Sequence, residues 1–289
     1  MEHDIFTKSV IKKEVDPKTS KRKQKPTKRV PIDHFYDINC SYLNPNEFDD
    51  SYLGDDKSDL TIFQGNVRSL NANIDSVSDI FDNCQKLPDI LAITETKLKK
   101  GVDAPKIDDY DFKRTDTSTD FGGVGIYLSN KLDYSVRSDL NLGAHHCEDI
   151  WVDIEMKQSG KNAGIKHFVI GVIYRHPGHK YDSFCTKLCN TLNILNVSKT
   201  DYVIVGDINV DILKFNLATD VTDYVNNLYS VDCNVCINMP TRVTDHSATC
   251  IDRIYCNLPQ HRIQSNVLLS DVSDHFSTLI RISKFSKSR

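Results

Sequence analysis

The stretch Asp201-Tyr202-Val203-Ile204-Val205-Gly206-Asp207-Ile208-Asn209 runs four apolar residues together and then, past a glycine, sets a carboxylate and a carboxamide two apart. A short apolar run rich in β-branched side chains reads as a strand buried on both faces. In extended backbone residues two apart point the same way, so Asp207 and Asn209 can act together at the strand's end. The same arrangement recurs along the chain. Asn66 follows Leu60 to Gly65, Glu95 follows Ile90-Leu91-Ala92-Ile93, Tyr174 and Arg175 follow Val172-Ile173, and Asp252 and the pair Asp274-His275 adjoin further apolar runs. Acids and carboxamides just past buried strands are where an α/β protein builds hard-cation and phosphate sites, so phosphodiester hydrolysis is the expected chemistry.

Between these points strands are expected at Leu60 to Gly65, Asp89 to Ile93, Gly122 to Leu128, Ile150 to Met156, Lys166 to Tyr174, Asp201 to Val205, Arg253 to Cys256, Ile263 to Leu269 and Phe276 to Ile282. Helices are expected at Ile74 to Asn83, at Tyr181 to Leu195 with Phe184, Leu188, Leu192 and Leu195 on one face, and near Ala218 to Tyr229. Strands outnumber helices and often follow one another directly, which requires antiparallel as well as parallel pairing. Two mixed sheets packed face to face with helices outside satisfy that pattern.

Residues 1 to 58 have a different texture. Seven basic residues crowd into Lys18 to Arg29 without an acid or an apolar side chain, a stretch that cannot bury enough surface to offset its chain entropy. A disordered tail is expected there, serving as a nuclear-import signal, a phosphate-binding arm or simply a solvated segment. The enzyme domain is expected over 59–283, with a short basic tail at 284–289. No run approaches a membrane span and the polar start lacks a signal-peptide core, so a soluble protein with no membrane partner is expected. The nucleus is the expected compartment, the cytoplasm the second choice.

Nine cysteines without a secretory signal point to reduced thiols. Cys233 and Cys236 have the spacing of half a zinc site, but Cys250 and Cys256 do not supply the other half, so buried thiols and no zinc are expected. The formal charge of −4 disfavours a nonspecific duplex binder without excluding an enzyme with a local basic patch.

Cleaving a phosphodiester needs an aligned and deprotonated water, a cation or donors on the non-bridging oxygens, and relief for the leaving oxygen. Glu95 suits a hard cation, Asp207 the water, Asn209 a phosphate oxygen, and His275 a cationic phosphate contact held in its tautomer by Asp252. Each signal alone is equally a turn, a loop or a helix cap. Together, in order and spacing, they resemble the endonuclease/exonuclease/phosphatase superfamily, and within it the apurinic-endonuclease-like domain of LINE-type non-LTR retrotransposons.

The segments that carry the resemblance are Asn66-Val67-Arg68-Ser69-Leu70, Thr94-Glu95-Thr96-Lys97-Leu98, Tyr174-Arg175-His176-Pro177, Gly206-Asp207-Ile208-Asn209, Pro240-Thr241-Arg242, Thr249-Cys250-Ile251-Asp252 and Ser273-Asp274-His275. The resemblance implies a four-layer α/β/β/α sandwich of the DNase I type and a monomeric enzyme that nicks DNA with Mg²⁺, Mn²⁺ being the possible substitute. Asn66, Glu95 and Asp274 would place the metal. Asn66, Tyr174, Asn209, Arg175 and Thr249 would hold substrate, with Asp207, Asn209, His275, Asp252 and Tyr174 as the catalytic set. Relatives that repair abasic sites carry Asp where this chain has Arg68, which favours the retrotransposon branch and leaves the metal count open. The alternatives are a phosphoesterase of the same superfamily acting on phosphoinositide, sphingomyelin or RNA, and a non-catalytic relic. His145-His146 reads as a loop and Trp151 as a packed strand residue.

Overall fold

The computed structural model describes residues 38–53, 59–158 and 164–283. Fifteen strands are named in it: β1 (Cys40–Leu43), β2 (Leu60–Asn66), β3 (Ile90–Thr94), β4 (Tyr110–Thr115), β5 (Val124–Ser129), β6 (Asp133–Val136), β7 (Cys147–Gln158), β8 (Gly164–Arg175), β9 (Asp201–Asp207), β10 (Asn234–Val235), β11 (Arg242–Thr244), β12 (Ser247–Thr249), β13 (Asp252–Cys256), β14 (Ile263–Leu268) and β15 (Ser277–Ile282). Besides a single helical turn at Asp50–Leu53, three longer helices accompany them: α1 (Leu70–Asp79), α2 (Asp182–Val197) and α3 (Thr219–Ser230). One sheet has the order β1-β14-β15-β2-β3-β5-β4, the other β10-β13-β9-β8-β7-β6, and β11 with β12 forms a separate ribbon. The pairs β1/β14, β2/β3 and β8/β9 are parallel and the rest antiparallel, as the directly joined strands require.

The alternating sides of β2 and β3 feed two different cores. Leu60, Ile62, Ile90 and Ala92 join the larger core together with Val152, Ile170 and Val203 of the second sheet. Phe63, Leu91 and Ile93 face the other way, onto Leu70, Val77 and Phe81 of α1 and the turn after it. A continuous apolar run is what a strand covered on both faces needs, which is why these strands stand out in the sequence. Helices α2 and α3 bury Phe184, Leu188, Leu192 and Leu195, and Val221, Tyr224, Val225 and Leu228, against the outside of the second sheet. The four layers expected from the sequence are present.

Several boundaries differ. Residues 38–53 belong to the fold instead of a tail: β1 pairs with β14, and Leu43, Phe48 and Leu53 are buried beside Phe63 and Phe81. Their spacing has neither a two-residue nor a helical period, so composition alone hid them. The basic run Lys18 to Arg29 and the C-terminal 284–289 lie outside the described residues. Helix α1 begins at Leu70, four residues before the expected start and directly after the polar turn at Arg68-Ser69. None of the described helices is long and apolar enough to cross a membrane. Trp151 is fully buried in β7 and donates its indole N–H to Asp149 Oδ2 at 2.7 Å.

Candidate active site

Strand direction gathers the polar residues at one end of the sandwich. Asn66 closes β2 and Glu95 follows β3, parallel neighbours; Tyr174 and Arg175 close β8 and Asp207 closes β9, also parallel neighbours. Strand β13 runs back against β9 with Asp252 opposite Asp207, and β15 runs back against β2, so His275 enters just before it at the same edge. Gly206, at φ 140°, lets β9 pass within contact of Ile173 on β8 and delivers Asp207 into the cleft.

One carboxamide ties two of the acids together. Asn66 Nδ2 donates to Glu95 Oε1 and to Asp207 Oδ2, both at 2.9 Å, and Tyr174 donates its phenol to the same Glu95 oxygen at 3.4 Å. Asp207 Oδ1 accepts from the Asn209 backbone N–H at 3.0 Å, and Asn209 Nδ2 donates to the Arg175 carbonyl at 2.8 Å. Behind them His275 Nδ1 meets Asp252 Oδ2 at 2.9 Å, leaving Nε2 turned toward the cleft's charged edge, 4.0 Å from Asp274. Gln64 of the first sheet reaches across to Asp252, and Ser273 ties the His275 loop to the Asn66 carbonyl at 2.7 Å. Arg68, Glu95, Lys97 and Asn209 all hold left-handed backbone, with φ between 52° and 54°. Strain of this kind costs on the order of 1 kcal/mol per residue and persists where the surroundings enforce it, often at functional sites.

Burial shapes the electrostatics. Asp207 is 1% exposed, Asp252 is fully buried and His275 is 4% exposed. Burial, then the charge of Asp252, pushes the Asp207 carboxyl up to about 8, with His275 and Asn66 pulling the other way. Burial also works to discharge His275, but the charge and hydrogen bond of Asp252, then Asp207 and Asp274, outweigh it and push the imidazole up to about 9. Burial with the charges of Glu95 and Asp207 keeps the Tyr174 phenol protonated far above its usual range. Both raised groups bind more protons folded than unfolded, His275 between 6.5 and about 9 and Asp207 between 3.8 and about 8. Stability held by the charged histidine is complete below 6.5 and lost as pH rises through about 9, and ionising Asp207 adds to the loss up to about 8. Thermal unfolding in EDTA should therefore show a lower melting temperature at pH 9 than at pH 6.5, and His275→Gln should flatten the difference; a rise with pH would contradict the assignment.

The donor set fits an oxygen-preferring divalent cation. Three carboxylates, Glu95, Asp207 and Asp252, converge against one imidazolium, and Glu95, half-buried, keeps an oxygen free of Asn66. Asp207, Asp252 and His275 bring one donor atom each within 4.8 Å of one another, but the histidine already shares its Nδ1 with Asp252. The carboxylate oxygens not shared with the histidine lie on the Glu95 side of Asp207, where Asn66 turns its amide nitrogen to both acids and its Oδ1 accepts from the Arg68 backbone N–H at 3.2 Å.

Three sequence assignments change. Arg175 does not meet substrate: it is 3% exposed, and its guanidinium donates to the carbonyls of Ile208, Asn209 and His179 at 2.7 to 2.9 Å, holding the Asp207-Asn209 turn. Thr249 sits in the β12 ribbon facing the Arg242 carbonyl, and the hydroxyl beside Asp252 belongs to Thr241, which accepts from the backbone N–H groups of Ile251 and Asp252. Asp274 is not free for a metal: Arg68 Nε lies 2.8 Å from Oδ1 and Arg242 Nε 2.7 Å from Oδ2. Although burial opposes ionisation, Arg242, His275 and Arg68 hold this carboxyl below its usual range. Asn66, Glu95, Tyr174, Asp207, Asn209, Asp252 and His275 do come together. Sequence reasoning gave no role to Gln64, nor to Thr241 and Ser273 although both lie in segments that carry the resemblance, and it missed the scaffold role of Arg175. It also missed a Glu148–His176 pair at 2.9 Å beside Tyr174, whose partners lie on adjacent strand ends. His145 and His146 form a turn, as expected, with the His146 ring stacked on His179.

Comparison with known proteins agrees with this architecture. The chain resembles the endonuclease domain of TRAS1, a telomere-specific non-LTR retrotransposon, with a TM-score of 0.56 and 15% identity over 78% of this chain and 100% of that one. It resembles the 3′ phosphatase NExo from Neisseria bound to a product DNA hairpin, with a TM-score of 0.51 and 15% identity over 77% of this chain and 99% of that one. The human Nocturnin catalytic domain aligns with a TM-score of 0.52 and 13% identity over 78% of this chain and 93% of that one. No curated protein matches the sequence. The model of the endonuclease/exonuclease/phosphatase family matches residues 63–275, from the heart of β2 to His275, and the chain belongs to that family.

Proposed function

We propose that the protein is a Mg²⁺-dependent endonuclease that nicks DNA, of the kind non-LTR retrotransposons use to open a target strand and expose a 3′-hydroxyl for reverse transcription. The observation that carries the reading is the Asn66 amide joining Glu95 to Asp207, with the Asp252–His275 dyad directly behind. Asp207 in its ionised form, its proton affinity raised by burial, takes a proton from water as the water oxygen bonds to phosphorus. The P–O3′ bond breaks and the departing 3′-oxygen takes a proton from solvent water, leaving a 3′-hydroxyl and a 5′-phosphate. His275, kept cationic by Asp252, donates from Nε2 to a non-bridging oxygen, and Asn209 and Tyr174 orient the phosphate from the other wall. A divalent cation held by Glu95, Asn66 and Asp207 would neutralise phosphate charge and ease departure of the leaving oxygen. The similarity to the TRAS1 endonuclease supports DNA as substrate, and a chromosomal target would place the enzyme in the nucleus.

A supercoiled-plasmid assay tests this. Open-circular product is expected in Mg²⁺ or Mn²⁺ and none in EDTA, with Glu95→Ala and His275→Ala each slower by at least about 100-fold. Nicking that survives EDTA or both substitutions would reject the mechanism. Cleavage of a phosphoinositide with the plasmid intact would transfer the same site to another phosphoester.

A further inference from the structure

We propose that Arg68 and Arg242, oriented by Asp274, form a second phosphate-binding site that grips duplex DNA at a phosphate neighbouring the one cleaved; the proposal rests on the nuclease reading above. The two guanidinium groups come from different parts of the fold. Arg68 follows the end of β2 in left-handed backbone, and its Nε and Nη2 engage both Asp274 oxygens, at 2.8 and 3.0 Å. Arg242 opens the β11 ribbon and reaches Asp274 Oδ2 through Nε at 2.7 Å. An isolated backbone bridge pairs Arg242 with His275, so the residue that carries the second guanidinium sits alongside the histidine proposed to serve the scissile phosphate.

Two cations share one carboxylate, with His275 Nε2 4.0 Å from Asp274 Oδ1. The cluster therefore carries excess positive charge in a protein of net charge −4. It faces solvent, with the Arg68 and Arg242 side chains 47% and 36% exposed and the shared carboxylate more covered at 30%. Each guanidinium has five N–H donors in a rigid fork, and Arg242 spends only Nε, its terminal nitrogens bonding no described residue. Asp274 has thus ordered two long side chains before a ligand arrives, which lowers the entropic cost of binding. A planar fork with spare donors suits the oxygens of a phosphate, whereas a divalent cation at Asp274 would meet two guanidinium groups already in place.

The experiment measures binding of a short DNA duplex by fluorescence anisotropy in Ca²⁺, over about 50 to 200 mM salt. Arg68→Ala and Arg242→Ala should each weaken binding and reduce the slope of log affinity against log salt by about one. Arg68→Lys and Arg242→Lys should keep the slope, since the point charge survives, and recover part of the affinity. Arg137→Ala, whose partners Asp139 and Asp153 lie away from the cleft, should keep the wild-type slope. In Mg²⁺ calorimetry Asp274→Asn should retain binding that Glu95→Gln loses. Unchanged slopes in both alanine variants, each with a wild-type melting temperature, would overturn the phosphate site while leaving the nuclease reading intact. Loss of Mg²⁺ binding in Asp274→Asn would do the same by making Asp274 a metal ligand. A wild-type protein without affinity for duplex DNA would overturn both.

Discussion

Asp207→Asn should slow plasmid nicking on the order of 1,000-fold while the protein stays folded. The substitution keeps the shape of a side chain that is 1% exposed and removes the carboxylate proposed to accept the proton of water. One oxygen remains to accept from either Asn66 Nδ2 or the Asn209 backbone N–H, and the other donor loses its partner, a cost of about 1 to 3 kcal/mol. Against that, the substitution removes a carboxyl whose ionisation burial and Asp252 oppose. The net effect on stability should be small beside the effect on rate. Single-turnover nicking together with a thermal melt separates the two: a folded variant that nicks at the wild-type rate would take Asp207 out of the reaction.

The largest stability effect should come from Gly206→Ala. At φ 140° only glycine is comfortable, and a Cβ built there would lie 1.9 Å from the Ile173 carbonyl oxygen on β8. The obstacle is backbone of a central parallel pair, with no flexible side chain to swing aside. A loss of at least about 4 kcal/mol is expected, enough to abolish soluble expression of a domain of ordinary stability. A variant with an unchanged melting temperature would show that β8 and β9 do not approach at this residue, and with them the placement of Asp207 would fail.

These two neighbours also show what the sequence makes legible. Gly206-Asp207 follows an apolar run buried on both faces, and such runs announce central strands; β2, β3, β8 and β9 all do so, and their polar ends mark the cleft. Strands with wet faces stay hidden. Tyr110–Thr115 and Asp133–Val136 are edge strands with mostly half-buried or exposed side chains, and their polar composition reads as loop. The residues after Pro45 are hidden for the opposite reason, because Phe48 and Leu53 are buried but follow no period. Within the site, residue type and position picked out Glu95, Asp207 and the Asp252–His275 pair, which the fold brings together. They misled for Arg175 and Asp274, because whether a guanidinium or carboxylate faces ligand or scaffold is decided by long-range contacts: Arg175 to residues more than thirty positions on, Arg68 to one more than two hundred away.

The central claim is that Asn66, Glu95 and Asp207, drawn from three strands, make one cation seat beside the Asp252–His275 dyad. Anomalous scattering from crystals grown with Mn²⁺ tests it most directly. The account predicts a single strong peak within ligand distance of the Glu95 carboxylate, lost in Glu95→Gln. A peak confined to Asp274, or none near Glu95 at saturating Mn²⁺, would contradict it.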